Sequence, residues 1–117
     1  MKEVKAIIQP FLVSNVVQAL KEIEGLPGLT VDKDVKGFGR SRAKGSPNSV
    51  MDELVEYVPK VKLEMVVADE LVDTVVATIL KHAHTGNAGD GKIFIINVED
   101  VIGIRTGKRD LCSGRQV

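Results

Sequence analysis

The pattern of apolar and polar residues along the chain predicts four main strands. Runs rich in β-branched residues at 4–8 and 61–67, an extended segment at 29–35 and an apolar run at 93–98 fit the strand pattern. A shorter run at 101–105 predicts one more short strand near the end of the chain.

Apolar residues at helical spacing predict two helices between these strands. Ser14 and Asp69 are candidate N-caps, because their side chains can accept a bond from the free amides of a first helical turn. Glycine and proline at 25–28 are expected to end the first helix, and Gly86 is a candidate C-cap for the second. The residues expected to face the core are Val16, Leu20 and Ile23 in the first helix and Leu71, Val72, Val75, Val76, Ile79 and Leu80 in the second.

The order βαββαβ predicts an α+β fold of the ferredoxin-like class, an antiparallel sheet with both helices on one face. The run at 61–67 has apolar residues of both parities, and two helices cannot cover both faces. We therefore expect a homo-oligomer to bury the open face. The two halves also repeat at an offset of 56 residues, which pairs Val16 with Val72, Leu20 with Val76 and Ile23 with Ile79.

Length and composition limit the classes of function. A chain of 117 residues with 44% hydrophobic and 27% charged residues fits a single globular domain spanning 1–117. Sixteen basic residues balance sixteen acidic ones, and three phenylalanines and one tyrosine are the only aromatics, so nucleic-acid binding is not expected. No run approaches the roughly 18 apolar residues of a membrane span and no signal peptide is readable, so we expect a cytoplasmic protein without direct membrane insertion.

The segment 85–92 carries the clearest chemical signal. Its three glycines at 86–91 let backbone amides approach an anion closely, and Lys92 follows at the start of a strand. The spacing satisfies the first part of the Walker pattern, but Ile93 stands where a P-loop needs serine or threonine, and the loop enters a strand instead of a helix. A P-loop NTPase is therefore rejected. A phosphate-binding loop and a glycine-rich turn without a ligand both remain open.

Three stretches combine glycine with basic residues at predicted strand ends, at 37–40, 89–92 and 105–109. Taken together, their cations outnumber their acids. Several donors without a catalytic base suit the binding of a polyphosphate better than its cleavage. The alternative is three solvated turns without a common ligand.

At these segments the sequence resembles the PII signal-transduction family. The resemblance extends over 6–11, 35–40, 59–62, 85–95 and 104–107, and the 85–95 segment matches the family's C-terminal signature at every defined position. The resemblance implies a compact ferredoxin-like homotrimer with a long loop after the second strand that contacts partner proteins. It also implies that ATP or ADP binds competitively in the clefts between subunits.

The resemblance further implies roles for individual residues. The nucleotide would be contacted from the base of the long loop by Gly37, Gly39 and Arg40, and its phosphates would be wrapped by Gly89, Asp90, Gly91 and Lys92. Adenine or ribose would be contacted by Thr30, Glu64 and Thr85, and a phosphate would be contacted across the subunit boundary by Arg105. Lys60 would pair with a carboxylate of 2-oxoglutarate.

Four departures from the family pattern leave some of these roles open. Ser41 replaces the glutamine that helps to hold Mg²⁺ and 2-oxoglutarate, so the binding of both is open. Glu53 replaces the tyrosine that is modified by nucleotidylation, so we expect no such modification. Gly103 replaces a second phosphate-binding arginine, which leaves the preference among ATP, ADP and AMP open. The loop at 42–55 has almost none of the usual family sequence.

The leading interpretation is a non-enzymatic nucleotide sensor, followed at its end by a polar tail at 108–117. Its 41–57 loop would engage a membrane transporter or an enzyme, outside or at the edge of classical nitrogen regulation. Catalysis is not expected, because Asp90 is the only carboxylate of the 85–95 segment and is expected to serve turn geometry.

A metal-responsive protein, linked to metal tolerance or efflux, is the alternative interpretation. It rests on His82, His84 and Cys112. Histidines two residues apart do not face the same way on a helix, so solvated histidines at a helix end are the simpler interpretation. The lone cysteine cannot form a disulfide within the chain.

Overall fold

Within the residues that the structure describes, an antiparallel sheet and two α-helices make up the fold. The structure is a computed structural model that describes residues 1–38 and 57–109. The strands are β1 (Lys2–Ile8), β2 (Thr30–Gly37), β3 (Val58–Val67) and β4 (Gly91–Asn97), and the helices are α1 (Val13–Lys21) and α2 (Val72–Ala83). The strands lie in the order β2-β3-β1-β4, and every neighbouring pair is antiparallel.

Several sequence predictions fall outside the described residues. They concern Gly39, Arg40, Ser41, Glu53, Cys112, most of the loop at 41–57 and most of the tail at 108–117.

The core lies between one face of the sheet and both helices. Alternate residues of the two central strands point towards the helices, because successive side chains of a strand face opposite sides. The buried residues are Val4, Ala6 and Ile8 of β1, Val61, Leu63, Met65 and Val67 of β3, Val13, Val16 and Leu20 of α1, and Val75, Ile79 and Ala83 of α2. The ferredoxin-like prediction is confirmed. No helix within the described ranges is long and apolar enough to cross a membrane.

β3 and β4 begin earlier than predicted, because their first residues pair with neighbouring strands. At its start β3 pairs only with β2, since β1 first meets β3 at the Ile8–Val61 pair. Pro59 is therefore tolerated inside β3, because it lies where one side of the strand has no neighbour that needs its missing N–H. Gly91 and Lys92 also belong to a strand, because β4 pairs with β1 from its first residue.

The internal repeat is real, but the predicted offset is wrong. Both helices follow a 3₁₀ turn, Pro10–Leu12 before α1 and Asp69–Leu71 before α2, and these turns are 59 residues apart. The buried pairs Val16 with Val75 and Leu20 with Ile79 have the same offset. A shift of three residues leaves a side chain on nearly the same helix face, so periodicity alone could not distinguish 56 from 59.

The predicted helix ends are also wrong. Ser14 and Asp69 are not N-caps, because each helix continues directly from its 3₁₀ turn; the Asp69 carboxylate instead lies 2.9 Å from the Met1 amino nitrogen. Likewise, α1 ends at Lys21, before the 25–28 segment. The C-cap of α2 is His84 in an extended conformation, two residues before Gly86.

The predicted strand at 101–105 does not form. A single antiparallel bridge joins Ile102 to Arg109 instead, and the Gly103 amide donates to the Lys108 carbonyl at 2.8 Å. These contacts close a turn over 104–106, in which Ile104 is fully exposed.

Two apolar surfaces of the described chain are left uncovered. On the open face of the sheet, Phe94 is 43% exposed and Ile96 is 39% exposed, next to the charged residues of β1. On the helix side Leu80 is 56% exposed, so its prediction as a core residue is wrong.

Candidate functional site

The loop between α2 and β4 is held together by Asp90. Its carboxylate accepts hydrogen bonds from the backbone N–H groups of Thr85 at 2.7 Å and Gly86 at 2.9 Å, and from the Thr85 hydroxyl. The Thr85 oxygen in turn accepts from the Asn87 N–H at 3.1 Å. These bonds, led by those from Thr85, lower the pKa of Asp90 below its usual value. Asp90 therefore shapes the turn, as its sequence position predicted.

The bonds to Asp90 and Thr85 divide the loop amides into two groups. The N–H groups of residues 85–87 are used inside the loop. No acceptor within residues 1–38 and 57–109 takes the N–H groups of the next three residues, 88–90. Gly89 has a φ of +94°, and successive amides around such a residue can form a concave anion site. Among the described residues, the loop thus contains three consecutive N–H donors without an intramolecular acceptor.

Gly91 brings β4 close to β1. A Cβ atom at this position would lie 1.7 Å from the Ile7 carbonyl oxygen, and φ is +109°. Only glycine fits this backbone. The Ile7–Lys92 pair then places Lys92 on the open face of the sheet, where it is exposed. None of the ion pairs formed among the described residues includes Lys92.

Lys60 lies between the glycine loop and the end of β2. Its ammonium group donates to the Gly89 carbonyl oxygen. A Cβ atom on Gly37 would lie 3.4 Å from Cγ of Lys60, and one on Gly89 would lie 3.4 Å from Nε2 of Gln9. Gln9 is not among the site residues predicted from the sequence. It follows β1, and the pairing of β1 with β4 places Gln9 beside the glycine loop.

Thr30 and Glu64 form a separate pair on the open face. They are directly opposite each other in β2 and β3. Because β2 and β4 are separated by the two central strands, Thr30 lies roughly 14 Å across the sheet from the strand of Lys92, at about 4.8 Å per strand. Arg105 lies in the exposed turn after β4.

The single chain therefore brings together only part of the predicted site. Seven residues cluster at one end of the sheet: Gly37, Lys60, Thr85, Gly89, Asp90, Gly91 and Lys92. Within residues 1–38 and 57–109, no hydrogen bond or ion pair joins Thr30 or Glu64 to this cluster.

The carboxylate of Glu64 also affects Glu3 on the same face. A hydrogen bond with Glu64, then burial, then repulsion by the Glu64 charge raise the pKa of Glu3 above its usual value. The positive charges of Lys5 and then of Lys62, whose Nζ is 3.9 Å from Glu64, offset part of this rise in the pKa of Glu3.

A cavity of about 410 Å³ opens beside the glycine loop, between α2 and the edge of β4. Its walls are mainly apolar and its polar rim is formed by His84, Asp90 and Lys92. This volume falls in the usual range for small-molecule sites. The cavity shares the glycine loop with the predicted site but is not lined by Lys60, Glu64 or Arg105.

The described residues give no support to the metal-binding alternative. Within 1–38 and 57–109, no group of three or more histidine, cysteine, aspartate or glutamate side chains is placed to hold a metal ion. Cys112 lies outside those ranges.

Comparison with known proteins gives the family. Residues 1–108 match the model of the family described as nitrogen regulatory protein P-II. The chain belongs to the P-II family. The P-II protein of Klebsiella oxytoca is 48% identical over 110 residues, which cover 94% of this chain and 96% of that protein. The P-II protein of Bradyrhizobium diazoefficiens is 44% identical over 111 residues, covering 95% and 97% of the two chains.

A solved structure supports the same family. The crystal structure of Arabidopsis thaliana PII bound to citrate superposes with a TM-score of 0.75 at 38% identity, covering 99% of this chain and 91% of that chain. Membership confirms the family indicated by the sequence motifs, and P-II proteins are signal-transduction regulators, not enzymes. The protein is accordingly a P-II-type signal-transduction protein of the nitrogen regulatory family.

Proposed function

We propose that this P-II protein senses adenine nucleotides, with ATP or ADP bound at the glycine loop. The observation that carries the proposal is the row of three N–H donors at 88–90 that have no acceptor among the described residues, followed by the exposed Lys92. Backbone amides with an adjacent cation are suited to phosphate oxygens. The adjoining cavity has room for an apolar part of the ligand.

The proposal places the nucleotide between subunits of a homotrimer. This part is supported by the separation of Thr30 and Glu64 from the strand of Lys92 within one chain, since a neighbouring subunit could supply residues that the same chain cannot. It is also supported by the exposed Phe94 and Ile96 on the open face, which an assembly would cover. Light scattering of the purified protein tests it, and a monomer would contradict it.

The output of the sensor is proposed to be control of a partner protein through residues 41–57. The partner is a membrane transporter or an enzyme in the cytoplasm, and the unusual sequence at 42–55 favours a target outside or at the edge of nitrogen metabolism. For the ligand to regulate a partner, it must bind the two states of the protein with different affinity. Nucleotide-dependent binding to a candidate partner measures this directly.

A small carboxylate near Lys60 is proposed as a second effector. Arabidopsis PII is bound to citrate in its crystal structure, and the Lys60 ammonium has no carboxylate partner among the described residues. Ser41 in place of the family glutamine makes 2-oxoglutarate and Mg²⁺ the co-ligands to test first.

The decisive experiment is isothermal titration with ATP, ADP and AMP, each with and without Mg²⁺, 2-oxoglutarate and bicarbonate. Lys92→Ala should weaken ATP binding by about 10- to 100-fold, because a charge-assisted hydrogen bond contributes about 1.5–3 kcal/mol. Lys81→Ala is the matched control, since it removes one exposed cation at the end of α2 that is in none of the ion pairs among the described residues. Absence of binding by the wild-type protein, or equal losses in both variants, would contradict the proposed site.

A further inference from the structure

Lys60 joins two parts of the molecule that are far apart in sequence. Its side chain is half-buried, its aliphatic part passes over Gly37 at the end of β2, and its ammonium group donates to the Gly89 carbonyl. One side chain of β3 therefore contacts both the last residues of β2 and the centre of the glycine loop.

The ammonium group of Lys60 has a backbone carbonyl as its acceptor, not a carboxylate. None of the ion pairs found within residues 1–38 and 57–109 includes it. A half-buried cation needs hydrogen bonds in place of the water it has lost, so the bond to Gly89 is expected to be maintained.

This bond fixes the direction of a donor in the loop. The peptide group between Gly89 and Asp90 is planar and trans, so its carbonyl and its N–H point in opposite directions. When Lys60 holds the Gly89 carbonyl, the Asp90 N–H points away from Lys60. Glycine adopts positive and negative φ with similar ease, so Gly89 alone would not fix this orientation.

We propose that Lys60 is a positioning residue for phosphate recognition. It acts through the Gly89 carbonyl and orients the Asp90 N–H, one of the three donors at 88–90 without an acceptor among the described residues, before any ligand arrives. This inference rests on the proposed nucleotide site, but it differs from the role implied by the family resemblance, in which Lys60 contacts a small effector itself.

Measurements on the ligand-free, full-length protein test the inference independently of nucleotide binding. In Lys60→Met, the ¹⁵N order parameters of the Gly89 and Asp90 amides should fall from about 0.85, typical of ordered backbone, to below about 0.6. The ATP dissociation constant should rise about tenfold or more, because the oriented Asp90 donor is lost. Lys81→Met, which also removes one positive charge, should leave the order parameters and the dissociation constant unchanged.

Each other result overturns the inference. Unchanged order parameters with weakened ATP binding would mean that Lys60 contacts the phosphate directly. Lower order parameters with unchanged affinity would mean that the loop orientation does not matter for binding, and no change in either would mean that the bond to Gly89 has no role. If the wild-type protein binds no nucleotide, the proposed function fails, while the order parameters still show whether Lys60 holds the loop.

A second variant keeps the test available if Lys60→Met fails to fold. Lys60→Gln retains a donor on a side chain that is one bond shorter, and the same two quantities should change in the same direction but less. Wild-type order parameters together with weakened ATP binding in this variant would again overturn the inference.

Discussion

Replacement of Gly91 by alanine tests how closely β4 approaches β1. The added Cβ would lie 1.7 Å from the Ile7 carbonyl oxygen and 2.8 Å from the Ile7 carbonyl carbon, whereas real Cβ atoms essentially never come within 3.0 Å of another heavy atom. The Ile7 carbonyl belongs to the neighbouring backbone, so no flexible side chain can move aside. The strands must separate by roughly an ångström or more at this point.

The expected cost has two sources. The backbone at Gly91 has a φ of +109°, which costs an alanine about 1–3 kcal/mol. Separation of the strands weakens the two or so ladder hydrogen bonds nearest the clash, at about 0.5–1.5 kcal/mol each. The sum is about 2–6 kcal/mol, a substantial fraction of the roughly 5–15 kcal/mol by which a domain is stable. At about 4 °C for each kcal/mol, the melting temperature should fall by about 8–24 °C.

Two other glycines provide matched controls. Gly107 also has a positive φ, +71°, but no atom lies within 4 Å of its added Cβ, so Gly107→Ala should cost only the backbone strain. Gly28 has neither a positive φ nor a close neighbour, so Gly28→Ala should be nearly neutral. Urea unfolding of all three at one protein concentration gives the comparison. If Gly91→Ala costs no more than Gly107→Ala, the close approach of the strands is refuted.

Two predictions concern titratable groups. The pKa of Asp90 is lowered from 3.8, so the stabilisation of the glycine loop by its carboxylate should be present above this value and be lost as the pH falls through the lowered pKa. Amide exchange of Thr85 and Gly86 between pH 2 and 6 measures this stabilisation. Protection factors that are independent of pH would contradict the prediction. The pKa of Glu3 is raised from 4.5, mainly by Glu64, so the ionised form of Glu3 is disfavoured in the folded protein. Glu3→Gln should therefore raise the melting temperature at pH 7 but make little difference below pH 4.5. A melting temperature that falls at pH 7 would show that Glu3 has a favourable partner at neutral pH.

The sequence by itself indicated the main elements, the fold class and the position of the glycine loop. Strand alternation and helical spacing are local properties, so they indicated the four main strands, both helices and most of the core. The order βαββαβ leaves few topologies, and the ferredoxin-like arrangement follows from it. Glycine spacing before Lys92 indicated the loop, and the same segment indicated the family that the comparisons confirm.

Only the tertiary structure decided the details that depend on neighbours distant in sequence. The helices begin at Val13 and Val72 because a 3₁₀ turn continues directly into each helix. The local preference of certain residues for the N-cap position did not set these starts. The predicted strand at 101–105 had strand-like residues but no strand beside it; a single bridge to Arg109 forms instead, because strand propensity requires a partner to become a ladder.

The same distinction holds within the candidate site. The sequence shows the glycines of the loop but not why position 91 requires one. The requirement comes from the Ile7 carbonyl of β1, which lies beside Gly91 because β1 pairs with β4. The contact of Lys60 with Gly89 spans 29 residues and carries no local signal. A sequence pattern reports the preferences of each segment, whereas these contacts depend on which strands the fold places side by side.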